Sequence, residues 1–278
     1  MFYWKGRIHA AFFLYSAPMN SNEAHKVTHL EQERPKRGRG IYLLPNLFTT
    51  AALFAGFYAV LASMNGSFEK AAIAIFLAMV LDGLDGRVAR MTNTQTAFGA
   101  EYDSLSDMVA FGLAPSLVMY QWALVGLGKL GWLAAFIYTA GAALRLARFN
   151  SAIATADKRY FTGLPSPSAA AIIAGFVWVG VDNGISGERA AWFALVLTVA
   201  AGLLMVSNLT YSSFKKVDFR GKVPFFAIVV VMLVFAVVVT EPPLVLFLVF
   251  FAYTLSGPVI GLRRMWRKRA RRDLASKD

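Results

Sequence analysis

Asp82-Gly83-Leu84-Asp85-Gly86-Arg87-Val88-Ala89-Arg90, then eight residues, then Gly99-Ala100-Glu101-Tyr102-Asp103-Ser104-Leu105-Ser106-Asp107, is the stretch that decides how this chain folds. Four aspartates fall within 26 residues of an otherwise apolar, membrane-like region. An ionised side chain placed at the centre of a bilayer costs roughly 2.5–3.5 kcal/mol on insertion scales. Four of them therefore require a common partner. Asp82 and Asp85 are three residues apart, and Asp103 and Asp107 are four apart, so each pair shares one face of a helix. Two such faces turned toward each other form an oxygen-rich pocket suited to hard divalent cations.

The surroundings of this stretch set the class. Of 278 residues, 57% are hydrophobic and only 16% charged, with a mean hydropathy of +0.53. Such a chain is an all-α polytopic membrane protein. Cysteine is absent, which excludes disulfides, thiolate zinc sites and cysteine nucleophiles. The histidines, His9, His25 and His29, all precede the first membrane segment, so acid–base chemistry inside the membrane falls to carboxylates. The net charge of +12 lies mostly in loops and tails, where it faces anionic lipid headgroups. No soluble part is large enough to present that charge to nucleic acid.

Three regions are expected: an N-terminal cytoplasmic segment at 1–42, a membrane domain at 43–261 and a basic cytoplasmic tail at 262–278. The apolar run at 10–17 is too short to cross a bilayer, and Met19 begins a plainer start, so residues 1–18 are expected to be dispensable. About eight hydrophobic segments follow, at 43–63, 70–88, 98–123, 131–149, 166–182, 190–212, 223–240 and 243–261. Each is near the roughly 20 residues a span needs. Lysine and arginine orient them. Alternate connections carry Arg87 and Arg90, then Arg145, Arg148, Lys158 and Arg159, then Lys215, Lys216, Arg220 and Lys222; the opposite connections carry Lys70, Lys129 and Arg189. An even number of spans puts both basic termini in the cytoplasm, and the carboxylates at the cytoplasmic end of spans two and three.

Gly86 and Gly99 lack side chains where a bulky ligand needs access to the backbone, although small residues also serve helix packing in membranes. Arg90 reads equally as a ligand contact or as a positive-inside anchor. A phosphoanhydride carries charge that must be neutralised during displacement, and two divalent ions can clamp the attacking and leaving oxygens. A carboxylate near a metal-bound hydroxyl is an adequate base.

Asp82 to Asp107 resembles, position for position, the signature D-x2-D-G-x2-A-R-x8-G-x3-D-x3-D of the CDP-alcohol phosphatidyltransferase family. The resemblance implies an enzyme that displaces CMP from a CDP-linked lipid with an alcohol, in a membrane and on the cytoplasmic side; the expected location is a bacterial inner membrane. It implies that Asp82, Asp85, Asp103 and Asp107 hold divalent metal, Mg²⁺ or Mn²⁺ and two ions, on the pyrophosphate. Asp107 would also take the proton of the acceptor hydroxyl. Gly86, Ala89, Arg90, Thr96 and Gly99 would contact the CDP moiety, and Asn46, Thr49 and Thr50 would reach its pyrophosphate. It further implies a homodimer.

The second half of the chain is similar to the phosphatidylserine synthase branch of that family. The matching segments are Leu144-Arg145-Leu146-Ala147-Arg148-Phe149-Asn150, Phe161-x-Gly163-Leu164-Pro165-x-Pro167, and Leu204-Met205-Val206-Ser207 with Tyr211 and Ser213-Phe214-Lys215; Asp103-Ser104-Leu105-x-Asp107-Met108-Val109-x-Phe111-Gly112-x-Ala114-Pro115 is similar to the same branch. The implied substrates are CDP-diacylglycerol and L-serine. Serine needs a cationic partner for its carboxylate, and Arg145 and Arg148 are spaced to share a face; a guanidinium binds a carboxylate through two hydrogen bonds. Both are also placed as topology anchors. Asn150 would bind the serine ammonium or cap its helix. Two other readings compete: a secondary transporter, disfavoured because the acids cluster at one end without repeats, and the same enzyme class acting on a phosphorylated acceptor such as glycerol 3-phosphate or inositol phosphate.

Overall fold

The computed structural model describes residues 43–92, 94, 96–152, 160–212, 232 and 239–275. Helix α1 spans Leu43–Met64 and opens with Pro45 in its first turn, where a missing N–H costs nothing. Its Ala52, Ala55, Ala59 and Ala62 are buried, as are Ala71, Ala72, Ala74 and Ala78 of α2, Phe68–Thr92. Small side chains let two backbones approach closely, and α1 packs more extensively on α2 than on any other element. Large apolar residues such as Phe54, Leu61, Phe136 and Trp192 point outward and are exposed. That arrangement is unfavourable in water and ordinary in lipid.

The third rod, α3, covers Ala97–Leu127 and is not a uniform helix. It begins as an α-helix over Ala97–Asp107, capped by Thr96, whose hydroxyl accepts the Gly99 N–H at 2.9 Å. Directly after Asp107 it widens to a π-helical turn over Met108–Leu113, in which the Ala114 N–H reaches back to the Val109 carbonyl. A second π turn covers Tyr120–Leu124. Pro115 has no N–H to offer the preceding turn. The buried Tyr138 hydroxyl compensates from a neighbouring helix, donating to the Phe111 carbonyl at 3.0 Å.

Helix α4, Lys129–Ala152, packs on α6, Gly187–Val206. Between them in chain order comes α5, Ser166–Asp182, with Pro165 at its cap and Pro167 in its first turn. Helix α7, Pro242–Ala275, packs on α5 and continues well beyond the length of a span. Among the described residues, five helices are long and apolar enough to cross a membrane: 45–64, 97–127, 129–151, 187–206 and 242–263. The chain is thus an all-α polytopic membrane protein. Helices α2 and α5 coincide with expected segments too, but α2 carries the charged residues of the site and α5 has only 17 residues. The expected segment at 223–240 lies mostly outside the described residues, as do 1–42.

One expected segment is shorter than its apolar run. Residues 190–212 were expected to be continuous, but α6 ends at Val206. The Ser207 hydroxyl donates to the Leu204 carbonyl at 2.8 Å and accepts from the Leu209 N–H at 3.4 Å, competing with the helical ladder. The chain then forms strand β2, Thr210–Ser212, antiparallel to β1, Tyr160–Thr162, with Phe161 opposite Tyr211. The sole described sheet is this two-stranded ribbon. Gly163 closes it with φ +83, and a Cβ there would run into the Met205 carbonyl oxygen. Its N–H donates to Leu209 O at 2.8 Å, and the Leu164 N–H donates to Leu204 O at 3.0 Å. Tyr211, fully buried, donates to the Thr254 carbonyl of α7 at 3.1 Å. Burial pushes its pKa up to about 12, so it remains an O–H donor at physiological pH.

Candidate active site

Helices α2 and α3 carry the aspartates at the same end of the bundle. Carboxylate oxygens of Asp82, Asp85 and Asp103 all lie within 4.8 Å of one another. Asp107 sits beside them, its carboxyl meeting that of Asp82. At this separation each like-charged pair repels by roughly 3–4 kcal/mol for an effective dielectric of about 20. No lysine or arginine amine forms a salt bridge with the cluster among the described residues. Asp103 Oδ1 is buried and has no hydrogen-bond partner. Three converging carboxylate groups, one of them with an orphaned oxygen, fit a hard divalent cation, which takes oxygen ligands and supplies the missing positive charge.

The cluster is braced from three sides. Asp85 is 5% exposed and accepts a hydrogen bond from the Thr49 hydroxyl of α1 at 2.8 Å. The Ser106 hydroxyl of α3 donates to the Thr49 carbonyl at 3.1 Å, tying α3 to the same point of α1. Thr50 pairs with the Tyr102 hydroxyl at 2.9 Å. Asn150 of α4 donates to the Ser104 hydroxyl at 3.0 Å, next to Asp103. Ser106 and Tyr102 were not singled out from the sequence, and Ser104 entered only as part of a longer family match, with no role of its own. Their roles depend on partners 46 to 57 residues away, which no local spacing reveals.

The expected CDP contacts divide into two groups. Asn46, Thr96 and Gly99 come together: a Cβ on Gly99 would stand 3.1 Å from Thr96 Oγ1 and 3.4 Å from Asn46 Oδ1. Gly86 and Ala89 lie on α2, and a Cβ on Gly86 would meet nothing within 4 Å, so its backbone faces open space. Arg90 is exposed, and its Nε donates to the Gly86 carbonyl at 2.7 Å. That bond lays its guanidinium along the open side of Gly86.

The two arginines of α4 part company. Arg145 turns inward: its side chain donates to Ser166 Oγ at 2.9 Å, its Nε is buried without a partner, and its charge is felt at Asp107. Arg148 is exposed and turns to the end of α6, donating to Asn208 Oδ1 at 2.8 Å and to Val206 O at 3.4 Å. A step of three residues rotates the helix by about 300°, and that offset suffices to send the two heads to different partners. Ser166, another residue the sequence reading passed over, lies immediately after the Gly163-Leu164-Pro165 segment.

An acid cluster fit for divalent cations, flanked by an open glycine backbone and an inward guanidinium at one end of a membrane bundle, defines a class. The chain belongs to the CDP-alcohol phosphatidyltransferase family, which residues 42–200 match. Among curated relatives, a Helicobacter pylori protein named CDP-diacylglycerol–serine O-phosphatidyltransferase is 39% identical over 198 residues, covering 70% of this chain and 82% of the relative. A Mycobacterium leprae protein of the same name is 30% identical over 242 residues, covering 84% of this chain and 79% of the relative. A Methanothermobacter thermautotrophicus protein named archaetidylserine synthase is 35% identical over 170 residues, covering 60% of this chain and 69% of the relative.

Proposed function

We propose that the chain transfers a phosphatidyl group from CDP-diacylglycerol to L-serine, giving phosphatidylserine and CMP. The observation that carries this reading is the Asp82–Asp85–Asp103 cluster, with Asp107 beside it and near enough to the inward-facing Arg145 to feel its charge. The names of the relatives support the acceptor: they differ in the lipid they mention and share serine.

Asp82, Asp85 and Asp103, with Asp107 alongside, would hold Mg²⁺ or Mn²⁺, as two ions, and the bound metal would neutralise the pyrophosphate during displacement. The chain's own residues do the rest. Gly86 and Ala89 offer the donor a close approach, Arg90 offers it a cation, and Asn46, Thr50, Thr96 and Gly99 line the other side. Thr49 acts through Asp85. Arg145 receives the serine carboxylate, and Asn150 lies within the same end of the bundle for the ammonium. Asp107 takes the proton of the serine hydroxyl. The serine oxygen then bonds to the phosphatidyl phosphorus as the bond from that phosphorus to the bridging oxygen breaks, and CMP leaves. No covalent enzyme intermediate is required.

Apolar length and the charge pattern support about eight spans with both termini and the site on the cytoplasmic side, and the family resemblance supports a bacterial inner membrane and a homodimeric assembly. CMP release from CDP-diacylglycerol, measured on purified protein with and without L-serine, tests the reaction. Serine-dependent release that stops in excess EDTA is expected. Equal release with inositol phosphate or glycerol 3-phosphate in place of serine would overturn the acceptor, and full activity in EDTA would overturn the metal.

A further inference from the structure

Two arginines one turn apart on α4 grip the two halves of the β1–β2 ribbon region. Arg145 holds Ser166, just after β1; Arg148 holds Val206 O and Asn208, just before β2. The halves are also joined to each other by the Gly163 N–H on Leu209 O and the Leu164 N–H on Leu204 O. Val206 is the last residue of α6, so its carbonyl is one the helix itself leaves unsatisfied, and a cation is favoured there. Arg148 thus fixes the 206–209 turn. That turn fixes Gly163 through its Leu209 carbonyl, the end of α6 holds Leu164 through the Leu204 carbonyl, and Ser166 follows within two residues.

We propose that Arg148 is a positioning residue: it clamps the 206–209 turn so that Ser166 holds the Arg145 guanidinium in place for the acceptor, and it makes no contact with the acceptor itself. This rests on the serine reading of the site. The geometry supports it in two ways. The head of Arg148 is already committed to Asn208 at 2.8 Å, a different partner from the Ser166 that holds Arg145. The path from Arg148 to Arg145 is continuous, through Asn208, the paired backbone and Ser166.

The clamp and a direct contact predict opposite results for Asn208. In a clamp, Asn208→Asp keeps an acceptor for Arg148 and strengthens it, so the serine KM stays within about twofold of wild type. If Arg148 bound the serine carboxylate, a new carboxylate at 208 would compete for it and the serine KM would rise steeply. Asn208→Ala should raise the serine KM several-fold to about tenfold, the loss of one hydrogen bond to an exposed guanidinium, and Arg148→Ala, which also loses the bond to Val206 O, should raise it at least as much. The CDP-diacylglycerol KM should hold, and the double variant should be no worse than Arg148→Ala. Additive effects of the two alanine changes, or a steep rise for Asn208→Asp, would overturn the proposal. Hydrogen exchange on the full chain in detergent gives a readout without activity. The Gly163 and Leu164 amides should exchange about tenfold faster in Arg148→Ala and at the wild-type rate in Asn208→Asp. Unchanged exchange in Arg148→Ala overturns the clamp. A wild-type protein that takes no serine overturns the acceptor reading instead, and the exchange result then decides the clamp alone.

Discussion

Replacing Thr49 with valine removes one hydroxyl and keeps the shape of the side chain. Thr49 is 4% exposed and its partner Asp85 is 5% exposed, so water cannot take the place of the lost donor. The hydroxyl has one proton and two acceptors within reach, Asp85 Oδ2 at 2.8 Å and the Pro45 carbonyl at 3.2 Å. The shorter contact to the charged acceptor dominates. A hydrogen bond to a charged group contributes about 1.5–3 kcal/mol, and removing a group that orients a metal ligand typically weakens metal binding by about 10–100-fold. The two figures agree, since each tenfold is about 1.4 kcal/mol. The Mg²⁺ or Mn²⁺ concentration giving half-maximal CMP release should therefore rise by about 10–100-fold in Thr49→Val. At saturating metal, kcat and the KM for CDP-diacylglycerol should return close to wild type. Thr49→Ser, which keeps the hydroxyl, should behave nearly as wild type. Calorimetric titration with Mn²⁺ measures the same shift without turnover. An unchanged metal dependence together with a raised CDP-diacylglycerol KM would refute the reasoning, because it would mean that the hydroxyl serves the pyrophosphate directly.

Asp107→Asn should lower kcat by about 10²–10⁴-fold, the usual contribution of a proton-transfer group, while the protein still binds CDP-diacylglycerol in an equilibrium assay; more than about a tenth of the wild-type rate would remove Asp107 as the base. Arg145→Ala should raise the serine KM by about ten- to a hundredfold, and Arg145→Lys should recover only part of that, because the planar fork is lost; equal KM values in kinetic assays of all three proteins would take Arg145 out of the acceptor site. Gly163→Ala should lower the thermal unfolding midpoint of the detergent-solubilised protein, since alanine is strained at φ +83 and its Cβ meets the Met205 carbonyl oxygen; an unchanged midpoint would show that the ribbon tolerates the shift.

What the sequence reveals depends on whether the partner is near or far in the chain. The pairs Asp82/Asp85 and Asp103/Asp107 are legible because helical periodicity places each pair on one face, and the cost of charge in lipid forces the faces together. The spans of α1, α4 and α6 are legible because apolar length decides them. The π turns of α3 are not, because hydropathy carries no information about whether an N–H reaches back four or five residues. The end of α6 at Val206 is hidden within an apolar run, although Ser207 and Asn208 are the polar pair that could have marked it. Arg145 and Arg148 look equivalent in sequence; only Ser166 and Asn208, brought up from distant segments, give them different work. The bracing of Asp85 by Thr49 spans 36 residues and belongs to the tertiary structure alone.

The π turn behind Asp107 also sets the angular phase of the rod. An α-helix advances about 100° per residue, and a π turn accommodates one residue more than an α turn. The acid-bearing half of α3, Ala97–Asp107, is therefore indexed separately from the half that begins at Ala114. Straightening the turn to a regular α-helix at the same chain length would swing Asp103 and Asp107 by roughly 100° relative to the lipid-embedded half, whereas deleting a single residue within 108–113 would remove the extra residue and leave their bearing unchanged. Substitutions below the turn can likewise repack against α4 and α5 while the carboxylates keep their bearing, so the membrane-filling part of the helix and its carboxylate-bearing tip are free to change at different rates.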